Sequence, residues 1–117
     1  MHSLMVEITA PSAEEAERIG RTLVEERLAT CANLLPGVRS VFRWKGRIEE
    51  AAEAMLLVKT VAAALPALID RVRSLHSYEC PCIAAVPIVG GNPDYLAWIE
   101  AECGTHGSHA GPGEGPH

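Results

Sequence analysis

The sequence is poor in aromatic residues: one Phe, two Trp and two Tyr make up 4% of its 117 residues. Long apolar runs are missing as well. The stretch from Ile83 to Val89 is interrupted by a proline and is far shorter than the roughly 18 residues a membrane-spanning helix needs. No membrane partner is therefore expected. Positive charge is scarce: 10 Lys and Arg stand against 15 Asp and Glu, a formal net charge of −5. That leaves no basic field for nucleic-acid phosphates or anionic lipid, so nucleic acid is not expected as a partner either. The start, Met1-His-Ser-Leu-Met5, has no basic segment, apolar segment and small-residue cleavage site in succession, and a cytoplasmic location is the expectation. There is no C-x-x-C pair, Gly-rich phosphate loop or G-x-S-x-G. Redox-motif, zinc-ribbon and familiar hydrolytic readings fall away with them, and the chain is not expected to be an enzyme.

What is present fits one globular domain, with 48% hydrophobic and 21% charged residues. Leu4 to Ala10 is apolar and β-branched and stops at Pro11, as a buried first strand would. Ser12 and Glu15 form a capping-box pattern, and Ala16, Ile19, Leu23 and Val24 recur on one face of a helix expected to run to about Ala29. Cys31 to Trp44 reads as a strand with a bulge at Pro36-Gly37, Lys45-Gly46 as a turn, and Arg47 to Thr60 as the return strand. Leu65, Leu68, Ile69, Val72 and Leu75 mark a second helix up to His76, with Pro66 in its first turn. Ser77 to Cys82 connects it to a strand over Ile83–Val89. Asn92 then caps a third helix that starts at Pro93 and stops at Gly104. Residues 1–104 thus form the domain, and the Gly, Pro and His of residues 105–117 predict a flexible tail.

Strand, helix, strand, strand, helix, strand is the βαββαβ order of an α+β ferredoxin-like sandwich, here with an extra C-terminal helix. The hairpin strands are about twice as long as their partners, so overhanging backbone donors and acceptors need another subunit to pair with. A cyclic homo-oligomer is expected.

Candidate chemistry gathers after the second helix. His76, Glu79, Cys80 and Cys82 gather on a helix end and a turn, and imidazole and thiolate are the ligands that copper(I) and zinc prefer. The competing structural reading has His76 answering the helix dipole and the cysteines filling space as small hydrophobes. Cys31, at a strand start between Ala29 and Ala32, has the same two readings. Trp44 at the hairpin tip reads as a packing residue and Lys59 on an apolar strand as solvated; both also suit the lining of a cleft.

Ala10-Pro-Ser12, Leu23-Val-Glu-Glu-Arg-Leu-Ala29, Cys31-Ala-Asn-Leu-Leu-Pro-Gly37, Val41-Phe-Arg-Trp44 and Leu56-Leu-Val-Lys-Thr60 together resemble the CutA divalent-cation-tolerance family. Arg71-Val-Arg-Ser-Leu-His-Ser-Tyr-Glu79 and Gly91-Asn-Pro-Asp-Tyr-Leu-Ala-Trp-Ile99 continue the likeness, which spans roughly residues 4 to 102. The resemblance implies a homotrimer similar in architecture to the PII signalling proteins, with a role in tolerance to copper and other divalent ions such as zinc. It points to Cys31 and His76 as metal ligands, with Glu79 beside them; the thiols of Cys80 and Cys82, which the family pattern does not supply, read either as further soft-metal ligands or as tolerated substitutions. It also implies a subunit-interface cleft with Trp44, Lys59 and Tyr78. The alternative it carries is a PII-like signalling or scaffold protein that binds a small anionic ligand in that cleft. The chain departs from the family pattern at Ser77, Cys80 and Cys82, and the tail lies outside the likeness.

Overall fold

The computed structural model describes residues 2–103; the tail expected over 105–117 lies outside them. Its elements follow the expected order: β1 (Ser3–Ala10), α1 (Ala13–Glu25), β2 (Cys31–Trp44), β3 (Arg47–Val61), α2 (Leu65–Leu75), β4 (Ile83–Pro87) and α3 (Pro93–Glu102). The strands form one antiparallel sheet in the order β2-β3-β1-β4, the arrangement of a ferredoxin-like sandwich.

Alternation along β1 and β3 sends Val6, Ile8, Ala10, Leu56 and Val58 to one face, where each is at most 1% exposed. Ala16, Ile19 and Leu23 of α1 and Leu68 and Val72 of α2 close that face and complete the main core. The helix approaches closely at Gly20, where an added Cβ would come 3.1 Å from the Ala32 Cβ and 3.3 Å from the Leu56 Cδ2. A smaller cluster of Val61, Ala64, Ile99 and Cys103 seats α3 at the end of the sheet.

Helix α1 ends at Glu25 rather than near Ala29. Arg27 takes φ +61°, its N–H donates to the Val24 carbonyl at 3.1 Å, and the Leu28 N–H donates to that of Leu23 at 2.9 Å. This pair of bonds is a Schellman motif with arginine where glycine is usual, which is why no glycine announced the stop. The Arg27 guanidinium then donates to the Glu102 carbonyl at 3.2 Å, tying the turn to α3.

The hairpin turns as expected at Lys45-Gly46, both with positive φ (52° and 81°), matching a tight turn whose twist suits the strands. Its strands outrun the sheet: β1 pairing ends at Ala10 opposite Ala54, while β2 and β3 continue to pair from Val38–Glu53 out to Trp44–Arg47. The bulge falls where Pro36-Gly37 predicts it, between Leu35 and Val38, with Gly37 at φ +77°.

Candidate functional site

The face of the sheet away from the helices is built by the residues that the core does not take. On β1 these are Met5, Glu7 and Thr9; the register sets Leu57 and Ala84 beside Glu7, and Met55 beside Thr9. The bulge decides what the hairpin adds. Before it, odd-numbered β2 residues such as Leu35 share the face of Met55; beyond it the register moves by one, and Ser40, Phe42 and Trp44 turn to the face of Glu53 and Glu49.

The connector after α2 lies over one end of this face and is held from both sides. The side chain of His76 is fully buried. Its Nδ1 accepts the Tyr78 N–H at 3.0 Å, and its Nε2 donates to the Thr9 carbonyl at 2.6 Å. That pattern places the ring proton on Nε2 and gives both nitrogens a partner. Glu15 accepts from the Ser77 backbone at 2.8 Å and from its hydroxyl at 2.9 Å. Tyr78 donates to Glu53 at 2.8 Å, and Ser40 donates to the other oxygen of the same carboxylate at 2.5 Å.

Between connector, sheet and hairpin tip opens a cleft of about 730 Å³. The sheet lines it with Glu7, Thr9 and Met55, and the hairpin with Ser40, Phe42, Trp44, Glu49 and Glu53. The connector adds Tyr78, Glu79, Cys80 and Cys82. Among the described residues, four carboxylates and no Lys or Arg side chain stand in this lining, so its field favours a cation.

The structure thus brings Glu79, Cys80, Cys82, Trp44 and Tyr78 to one place. Cys31 and Lys59 lie elsewhere. Cys31 pairs with Lys59, which pairs with Met5, whereas His76 meets Thr9 four residues further along β1, a separation of roughly 13 Å along the strand. The Cys31 Sγ is 3.6 Å from the Tyr95 hydroxyl, and Lys59 donates to the Asn33 side chain at 2.5 Å. Cys103 is buried against Thr60, 3.3 Å away. Among the described residues, no three His, Cys, Asp or Glu side chains converge to hold a metal ion.

Glu7, Glu53 and Met55 were not singled out in the sequence. The signal for Glu7 and Met55 is the alternation itself, since the residues between core positions must face the other way. Glu53 depends on the bulge and on Tyr78, 25 residues away.

The electrostatics follow from these contacts. Burial pushes the Cys82 thiol above its ordinary pKa, and the charges of Glu7 and Glu53 push it further, with hydrogen bonding to Thr9 offsetting only part. Burial also raises Glu15, but the two Ser77 hydrogen bonds, with a smaller contribution from the charge of Arg18, outweigh it and hold the carboxyl below its usual range. Burial, then the bond to Glu53, pushes Tyr78 up to about 12; burial and the neighbouring Cys31 do the same for Tyr95. A phenol pushed up in the fold binds its proton more tightly folded than unfolded, so stability should decline as pH rises from about 10 towards 12. Because these are the chain's two tyrosines, absorbance at 295 nm should show almost no tyrosinate at pH 10.5 in the native protein and strong tyrosinate in the denatured one. Half-ionisation of both in the native protein at that pH would contradict the described environments.

The model of the CutA1 divalent ion tolerance protein family matches residues 4–102. A divalent-cation tolerance protein CutA from Thermus thermophilus is 49% identical over 100 residues, covering 86% of this chain and 97% of the relative. A human protein CutA is 45% identical over 92 residues, covering 79% of this chain; the chain spans about half of that relative, 51% of its length. The solved structure of the Thermus thermophilus divalent cation tolerance protein superposes with a TM-score of 0.86 at 48% identity, covering 87% of this chain and 99% of the other.

Proposed function

The chain belongs to the CutA1 divalent ion tolerance family, and from that premise we propose that it is a copper-binding metal-tolerance protein that works as a homotrimer and catalyses no reaction. The observation that supports this most is the cleft, whose lining among the described residues carries the thiols of Cys80 and Cys82 and the carboxylates of Glu7, Glu53 and Glu79 and no Lys or Arg side chain. Thiol and carboxylate together offer a copper ion both soft and hard donors. Trimer formation is supported by the hairpin, whose outer half, among the described residues, pairs only with itself beyond Ala10–Ala54, and by the outer edge of β2, which no described strand covers. Ile48 (61% exposed), Val41 (69%) and Val86 (47%) leave apolar surface for such an association.

The test uses the full chain with His106, His109 and His117 replaced by alanine, so that the tail contributes no imidazole. Calorimetric titration should give one copper per subunit, and sedimentation a mass three times the 12.5 kDa of the chain. The Cys80→Ser/Cys82→Ser double variant should lose about tenfold or more in affinity. Unchanged affinity in that variant, or a monomer mass at micromolar concentration, would count against the proposal.

A further inference from the structure

We propose that Cys80 and Cys82 close a reversible disulfide across Pro81 when the protein meets a small-molecule disulfide of the glutathione type, so that the connector is a redox-active dithiol. The inference goes beyond the copper reading and stands without it. The four cysteines of the chain sort by their surroundings. Cys103 is 6% exposed and packed against Thr60, and Cys31 is half-buried with its Sγ beside the Tyr95 hydroxyl. Cys80 and Cys82 are both exposed, so they are the thiols that a reagent in solution meets.

Chain connectivity itself keeps the two residues close. Only Pro81 separates them, both peptide bonds are trans, and each step advances about 3.8 Å between Cα atoms. With the proline φ held at about −65°, the two Cα atoms lie roughly 5.5–7 Å apart. A disulfide usually spans about 4.4–6.8 Å between Cα atoms. Both side chains line the same cleft, so they leave the connector on one side. The segment from His76 to Cys82 lies in neither helix nor strand, and it adjusts without breaking a strand ladder. Glu15 and Glu53 hold it at Ser77 and Tyr78, and pairing with Ile8 holds Ile83, which leaves residues 79–82 to turn.

The Cys82 thiol is hydrogen-bonded to Thr9, so Cys80 reacts first. Having given its proton to solvent, Cys80 attacks one sulfur of the small disulfide. The sulfur–sulfur bond of the reagent breaks, a mixed disulfide forms on Cys80, and one small thiolate leaves. Cys82 then leaves Thr9, gives its own proton to solvent and attacks the Cys80 sulfur, expelling the second small thiolate. Both departing thiolates take up protons. Two protein thiols are thereby oxidised, and one small disulfide is reduced to two thiols. The product takes both thiols out of the cleft lining, and excess small thiol restores them.

The test needs no metal. The full chain is treated with glutathione disulfide in the presence of a metal chelator, then unfolded in an alkylating reagent, and its mass is measured. It should have lost two hydrogens and taken up two alkyl groups rather than four, on Cys31 and Cys103. Cleavage after Glu79 and Glu100 isolates residues 80–100, which carry Cys80 and Cys82 but neither other cysteine. The bond should sit within that peptide, and excess reduced glutathione should remove it. Cys82→Ser should instead keep glutathione on Cys80, about tenfold or more above the level in the unaltered chain, because no neighbouring thiol expels it. Alkylation of both Cys80 and Cys82, glutathione retained on the unaltered chain, or a bond from either residue to Cys31, Cys103 or a second subunit would overturn the proposal. Copper binding is read in a separate titration, so the two readings fail independently.

Discussion

Replacing His76 by alanine should lower the unfolding free energy by about 2–4 kcal/mol, the cost of opening a small cavity and of leaving buried partners without their hydrogen bonds. The ring is buried, and its two nitrogens join the Thr9 carbonyl on β1 to the Tyr78 N–H on the connector. Without it, two backbone groups lose their partners and the connector loses one of its three anchors. The same substitution should change the copper affinity of the folded protein by less than about threefold, because the proposed ligands in the cleft are other residues. Denaturant unfolding at fixed protein concentration and a copper titration on the same sample separate the two effects. A tenfold loss of copper affinity with unaltered stability would mean that the imidazole is a ligand and that its hydrogen bonds matter little.

Leu56→Ala should be as costly or more so, about 2–5 kcal/mol. Leu56 is 1% exposed, pairs with Ile8 and Leu34 and lies under Gly20. The backbone of α1 meets this side chain directly, because residue 20 has no side chain of its own. Truncating Leu56 leaves a void beneath the helix that no neighbouring side chain on Gly20 is there to fill. Thermal unfolding at one fixed concentration is the appropriate measure, since assembly adds to the stability of an oligomer. A loss below about 1 kcal/mol would show that α1 can settle into the space.

Local signals in the sequence were enough for the elements and their order. Ser12 caps α1 as its pattern implies, its hydroxyl accepting the Glu15 N–H at 3.1 Å, and Asn92 accepts the Asp94 N–H at the start of α3. Pro36-Gly37 and Lys45-Gly46 mark the bulge and the turn because glycine there must hold a positive φ. The family likeness of residues 4–102 agrees with the matched model. The misplaced end of α1 has a plain cause, a left-handed arginine in place of glycine.

The site was harder to read because it is made by contacts between distant segments. The carboxylate of Glu15 looks like the second half of a capping box, yet it reaches Ser77, 62 residues on. His76 looks available as a ligand until the Thr9 carbonyl, 67 residues away, occupies its Nε2. Which hairpin side chains enter the cleft depends on a single extra residue at the bulge, since that residue exchanges the two faces of the strand beyond it. Alternation alone therefore cannot assign Phe42 and Trp44 to the face of Glu53.

The most direct test of the central claim is to locate the metal. Crystals of the full chain grown with copper, with diffraction recorded at the copper absorption edge, should show an anomalous peak in the cleft within bonding reach of the Cys82 Sγ, once per subunit. A peak confined to Cys31 or His76, with the cleft empty, would contradict it.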